Sequence, residues 1–400
     1  MSKTLLVLGA SRYQLPTITA ATRLGMNVVV VDHNPDNPGH TIADKSYVVS
    51  TLNISETLGI ALSEKVDGVI APCTDVAVIT AAHVSTVMGL PGIKELAAAC
   101  LTDKERFRTI QSRLGFLHPR IIRKFSNSER VRRIELGSEA AIVKPNRASG
   151  SRGVRIVDAS VNDSDFEKCC LDAQLHSTDG SAILEELVIG KHHTAEGVVL
   201  DGEIKHITVT ERLTVAAPYT ATRGHIVLPD LGDVLRVQLH SQILSLFREL
   251  DVSDSVFDCD FVVTADGTVV LLELTPRLGG NLLSEVVRES SGIDLVVTAI
   301  QMAVGGAIPS MASNDPVSAA VIILGLDRDG IANWSVEKAA KAPQHPLVRK
   351  ISFDIPLGTY AMRFTEGRHR IGEVLIAGGD LAQVRKAVIE VEAAINLRAG

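Results

Sequence analysis

The stretch Val143-Lys144-Pro145-Asn146-Arg147-Ala148-Ser149-Gly150-Ser151-Arg152-Gly153-Val154 decides how this chain is read. An apolar run that reads as a strand ends in a lysine. A loop of small residues follows, and a second strand begins. Small residues let successive backbone N–H groups approach an oxyanion, and the lysine adds a fixed cation. A Walker A loop leads from strand to helix, so this strand-to-strand loop is a different device. Taken alone, the segment is either a phosphate cradle or a solvated hairpin loop.

Downstream, Asp258-Cys259-Asp260 lies on one expected strand and Glu273 on its hairpin partner, joined by the turn Asp266-Gly267. Strand alternation puts Asp258 and Asp260 on one face and Cys259 on the other. The turn places Asp260 and Glu273 nearly opposite each other. Paired carboxylates in apolar surroundings are costly unless a cation joins them. An all-oxygen set favours Mg²⁺ or Mn²⁺. Arg277 follows in Glu273-Leu274-Thr275-Pro276-Arg277-Leu278-Gly279-Gly280-Asn281, where it suits an anionic substrate or a transferring phosphoryl group. A second hairpin is expected around Asp201-Gly202.

Upstream, residues 1–100 alternate strand and helix: strands at Thr4–Leu8, Asn27–Val31 and Asp67–Ala71, and a helix near Val76–Met88 with Gly89 as its cap. This predicts βαβ units, a parallel sheet and a Rossmann-like domain. The turn at Gly9-Ala10-Ser11-Arg12-Tyr13-Gln14 lacks GxGxxG, and only Asp32 supports a nicotinamide site. Capping boxes are expected at Thr102–Glu105 and Ser126–Glu129. Antiparallel hairpins then define a different, α+β region over 101–310. Pro309–Pro316 reads as a linker. The segment 311–400 offers strands near Ala319–Leu324 and Glu373–Gly378 and a last helix near Asp380–Leu397.

The composition is that of an ordinary globular chain. The sequence has 400 residues, 46% hydrophobic and 22% charged, with only 4% aromatic and 31 glycines. At a soft ~150 residues per domain this allows two to three domains, in α/β and α+β style. The net charge of −7 speaks against nucleic acid as a main partner. Cys73, Cys100, Cys169, Cys170 and Cys259 form no CxxC pair, which suits a reducing cytoplasm. No signal peptide, membrane span or membrane partner is expected.

Taken together and in this order, these features resemble the ATP-grasp superfamily, in its carboxylate–amine ligase branch. The resemblance implies a Rossmann-like pre-domain at 1–100, a two-lobed ATP-grasp domain at 101–310 (small lobe about 101–185, large lobe about 186–310) and a C-terminal α+β domain at 311–400. It implies that Lys104 and Lys144 contact the nucleotide and that Ser149, Gly150, Ser151 and Gly153 cover its phosphates. Glu185 and the backbone of Glu186, Leu187 and Val188 would meet the adenine edge. His193 and Glu196 stand near the ribose position. Asp260 and Glu273 match the metal positions. Thr275 replaces the asparagine usual in the third. Arg277 and Lys144 take the catalytic roles.

The implied reaction is ATP-dependent ligation: a small carboxylate, such as an amino acid, takes the γ-phosphoryl group, and an amine displaces phosphate from the acylphosphate. ATP and Mg²⁺ (or Mn²⁺) are the expected cofactors, and a homodimer is compatible. Gly279, Gly280 and Asn281 are candidates for a substrate carboxylate. Arg223 and His225 are candidates on a loop closing over the acceptor. The alternatives are a carboxyphosphate-forming enzyme of the same superfamily, a nicotinamide-dependent oxidoreductase and a non-catalytic nucleotide sensor.

Overall fold

The computed structural model describes residues 2–126, 129, 140–312, 316–335 and 345–400. Residues 127–128 of the capping box expected at Ser126–Glu129 and part of the Pro309–Pro316 linker lie outside the described residues.

Strands β1 (Thr4–Leu8), β2 (Asn27–Asp32), β3 (Lys45–Val48) and β4 (Gly68–Ile70) form a parallel sheet in the order β3-β2-β1-β4. The apolar runs of β1 and β2 are buried on both faces, as parallel strands under helices require. One face packs with the helices Ile54–Glu64 and Val78–Met88. The other packs on the helix Leu295–Ala303, which joins this sheet to the rest of the chain.

Strands β5 (Ile121–Ser126), β6 (Ala141–Pro145), β7 (Arg155–Val157) and β8 (Ser181–Glu186) make a small antiparallel sheet in the order β5-β8-β6-β7. The helix Asp163–His176 covers it through Phe166, Cys170 and Ala173. The glycine loop is the β6–β7 connection.

The third sheet has eight antiparallel strands. It contains β9 (Lys191–Leu200), β10 (Glu203–Thr214), β11 (Thr222–Val227), β12 (Ser255–Val263), β13 (Val269–Thr275) and β14 (Ala319–Leu324). After β15 (Gly330–Asn333) come β16 (Val348–Phe353), β17 (Tyr360–Ala361), β18 (Gly372–Ala377) and β19 (Arg398–Ala399). The order is β13-β12-β9-β10-β11-β14-β18-β16, with β17, β15 and β19 in a separate small sheet. The strands after residue 310 thus extend the sheet of the preceding lobe through the β11–β14 pairing. The helices Asp233–Glu249 and Leu381–Ile395 bury apolar sides against this sheet.

Candidate active site

A cleft of about 680 Å³ opens between the small sheet and the β9–β13 end of the large one. Lys104, Lys144, Ser149, Gly150, Ser151, Glu185, Glu186, Leu187, Val188, Asp260, Glu273 and Arg277 all line it. Segments far apart in sequence therefore converge on one place.

Local structure explains how the lysines get there. Lys104 is the first residue of the helix Lys104–Arg113, and Asp103 caps that helix by accepting the N–H of Arg106. The expected cap, Thr102, instead donates its hydroxyl to Ala98 and ends the helix before. Asn146, fully buried, ties the two lysine-bearing segments together. Its carbonyl accepts the N–H of Lys104 at 3.2 Å and its side chain the N–H of Glu105 at 3.0 Å. Sequence reasoning missed this asparagine, because its partners lie some 40 residues away.

Lys144 sits on the cleft floor, paired with Glu185, which Arg108 also holds at 3.3 Å. Burial lowers the Lys144 pKa to about 8, with the Glu185 charge opposing the shift. Burial pulls the Glu185 carboxyl upward, but Arg108 and Lys144 overcome it and hold the group below its ordinary value. Glu185 thus anchors a cation pair. Glu186 pairs with Arg120 at 2.6 Å.

Asp260 and Glu273 are direct partners in the β12–β13 ladder, at a bulge. Thr194 donates to one Asp260 oxygen at 2.6 Å and Arg212 to the other at 2.7 Å. Lys104 reaches Glu273 at 3.3 Å. Burial raises Glu273, yet Lys104 and Arg277 hold it below its ordinary value. Arg277 is clamped by Asp75 and Asp258, each at 2.5 Å. Asp258 also keeps a buried oxygen without a hydrogen-bond partner, and burial raises its pKa to about 7. This donor set is all oxygen and fits a hard divalent cation. Among the described residues no group of three acidic, His or Cys side chains encloses a metal by itself. Two carboxylates that leave further positions to phosphate oxygens are the arrangement suited to a nucleotide-borne Mg²⁺.

Several expected site residues lie elsewhere. His193 points to the opposite face of β9 from His192 and stacks on Phe261 at 5.2 Å, so His192 lines the cleft and His193 does not. Glu196 is further along β9, completely buried, accepting from Gly279 N–H at 2.7 Å and Ser284 Oγ at 3.0 Å. Burial, aided by Asp258, raises its pKa to about 8. Thr275 is fully buried, donates toward the Asp258 carbonyl at 3.3 Å and does not line the cleft. Gly153 turns away from the cleft with φ +67°, where a Cβ would meet the backbone of Ala173 and Asp172 at 3.0 Å. Its requirement is that left-handed backbone together with close packing.

Gly279 uses its N–H on Glu196, so Gly280 and Asn281 are what reach the cleft. The Thr222–His225 segment is not a loop but the start of β11. Arg223 is skipped in the β10–β11 ladder, where Thr214 pairs with Thr222 and Leu213 with Gly224. It turns out to Glu392 at 3.1 Å. His225 does line the cleft, buried against Thr210, and burial lowers its pKa to about 3. Asp32, the support for a nicotinamide site, accepts N–H groups from Ala10 and Asn34.

The sequence profile of the carbamoyl-phosphate synthase L chain ATP-binding domain matches residues 103–311, the span that carries Lys104, Lys144, Glu185, Asp258, Asp260, Glu273 and Arg277. The chain belongs to that family. It is thereby an ATP-grasp enzyme, of the superfamily of ATP-dependent ligases that form C–N bonds. A formate-dependent phosphoribosylglycinamide formyltransferase from Maridesulfovibrio salexigens is 23% identical over 412 residues, covering 99% of this chain and 97% of that one. The protein y4rH of Sinorhizobium fredii is 25% identical over 236 residues, and the match spans 48% of its length. Among solved structures, an L-amino acid ligase from Bacillus licheniformis superposes with a TM-score of 0.82 at 16% identity, over 99% of this chain and 98% of that one. That likeness concerns the ATP-grasp fold.

Proposed function

We propose that this ATP-grasp enzyme activates a small carboxylic acid as its acylphosphate and transfers the acyl group to an amine, releasing ADP and phosphate. The observation that carries the reading is the convergence of Lys104, Lys144, Asp260, Glu273 and Arg277 on one cleft beneath the Ser149–Ser151 loop. Lys104 and Lys144 lie where they would neutralise phosphate charge, and the loop amides would hold the phosphates. Asp260 and Glu273 would hold Mg²⁺, which when bound offsets charge on the β- and γ-phosphates. Arg277 would stabilise the developing acylphosphate anion. No side-chain nucleophile is required.

A second cavity of about 580 Å³ adjoins the cleft and shares Tyr13, Cys73, Gly280 and Asn281 with it. It is bounded by the N-terminal helix Leu15–Arg23, the Gly279–Arg288 segment and residues 350–373. We assign the acceptor amine to this side. Its lining mixes Arg12, Lys350 and Arg370 with Glu285, Asp354 and Glu373, which suits a small polar molecule.

An ADP-release screen tests the reading. Formate, bicarbonate and single amino acids are each offered with and without a panel of amines. ADP release that needs one acid and one amine is expected. Release with bicarbonate alone would instead mark a carboxyphosphate-forming enzyme. Nucleotide binding without ADP release for any pair would overturn the ligase reading.

A further inference from the structure

Asp75 lies outside the family-matched span, on the turn that follows β4, yet it touches both halves of the nucleotide cleft. Its backbone N–H donates to Ser149 Oγ of the glycine loop at 3.1 Å. Its carboxylate accepts from Arg277 Nε at 2.8 Å and Nη2 at 2.5 Å. The same turn has two more anchors on the Arg277 segment. Cys73, held in the left-handed region at φ +60°, donates its N–H to the Leu278 carbonyl and its thiol to the Gly279 carbonyl. Asp75 is 5% exposed and starts the turn that leads into the helix Val78–Met88. On the far side, Gly367 N–H donates to the Gly150 carbonyl, so the glycine loop is gripped from both the N-terminal and the C-terminal regions.

We propose that Asp75 is a positioning residue that couples closure of the glycine loop to the placement of Arg277. This rests on the reading of the cleft as an ATP site. In the structure the loop lies over the cleft with Ser149 already on Asp75. The Asp75 carboxylate and the Asp258 carboxylate hold opposite sides of the Arg277 guanidinium. A backbone hydrogen bond and a charged side-chain pair on one rigid turn make the two events interdependent. Opening the loop frees one end of the turn, and removing Arg277 frees the other. Such coupling is reciprocal. A change at Arg277 must therefore be felt by a loop it does not touch.

The test needs no acceptor or acid. Trypsin cleavage after Arg152 is followed with and without Mg·AMPPNP, alongside thermal melting. In the wild type the nucleotide is expected to protect the loop. Asp75→Asn, Arg277→Met and Ser149→Ala are each expected to speed cleavage of the complex by about fivefold or more. The Asp75→Asn/Ser149→Ala double variant should be no faster than the faster single one. Arg277→Lys, which keeps a cation, serves if Arg277→Met fails to fold. Asp251→Asn, at an exposed pair with Lys94, is the neutral control. Protection in Arg277→Met equal to wild type, or additive effects in the double variant, would overturn the coupling while leaving the ATP site intact. No protection by nucleotide in the wild type would overturn both.

Discussion

Asp260 and Glu273 face each other directly across the β12–β13 ladder because of the bulge at Leu272. Counting back from the Asp266-Gly267 turn, Val263 pairs with Val269 and Phe261 with Leu271, and the bulge then skips Leu272 so that Asp260 meets Glu273. Each carboxylate already has a cation of its own, Arg212 or Lys104. Removing either acid is expected to weaken Mn²⁺ binding in the presence of ADP by about tenfold or more. Electron paramagnetic resonance titration of Asp260→Asn and Glu273→Gln measures this without turnover. Unchanged Mn²⁺ affinity in both would remove them from the metal site.

Lys144 gives a pH dependence of definite sign. Burial holds its pKa near 8, well below the ordinary lysine value, so it loses its charge as pH rises through 8. A bound polyphosphate favours the charged form. ATP binding at pH 8 should therefore take up a proton, and affinity should fall between pH 7 and pH 9. Calorimetry in buffers of different ionisation enthalpy reads the uptake directly. Lys144→Ala is expected to abolish ADP release and to remove the proton uptake, while leaving Glu185 held by Arg108.

The parallel first sheet was legible because fully apolar runs alternated with amphipathic ones and ended in glycine. The carboxylate pair was legible because the Asp266-Gly267 turn brings its two strands together close by, although the direct pairing also needs the bulge at Leu272, which leaves no sign in the sequence. Which residues face the cleft was harder. Alternation separates His192 from His193, but it cannot tell how deep Glu196 lies, because the covering Gly279–Ser284 segment arrives from some 80 residues away. Asn146, Arg212 and Asp75 have local sequences typical of loops or strands. Their roles arise from partners 41, 48 and 202 residues distant. Long-range contacts of this kind leave no periodic trace.

Glu196 carries a stability prediction. Its native pKa, about 8, lies above the ordinary value of 4.5, so the native state keeps a proton that the unfolded chain has released. That stabilisation is fully present below pH 4.5 and is lost as pH rises toward 8. Glu196→Gln keeps an oxygen for the Gly279 N–H and cannot ionise. Relative to the wild type it should gain on the order of 4 kcal/mol between pH 5 and pH 9. Denaturant melts at the two pH values measure the difference. A parallel pH trend in both proteins would mean that Glu196 is ionised in the fold.

Arg223 was expected over the acceptor, and its position in the fold predicts a small effect instead. Its side chain is 41% exposed and pairs with Glu392 on the helix Leu381–Ile395, on the side away from the cleft. Exposed pairs of this kind contribute about 0–1 kcal/mol. Arg223→Ala is therefore expected to lower stability by less than about 1 kcal/mol. With whatever acid and amine the screen identifies, its rate of ADP release and its amine KM should match the wild type. His225→Ala is the contrast, since that ring lines the cleft and fills buried space beside Thr210 and Arg212. Loss of amine saturation in Arg223→Ala, with Glu392→Ala unaffected, would return the arginine to the acceptor site.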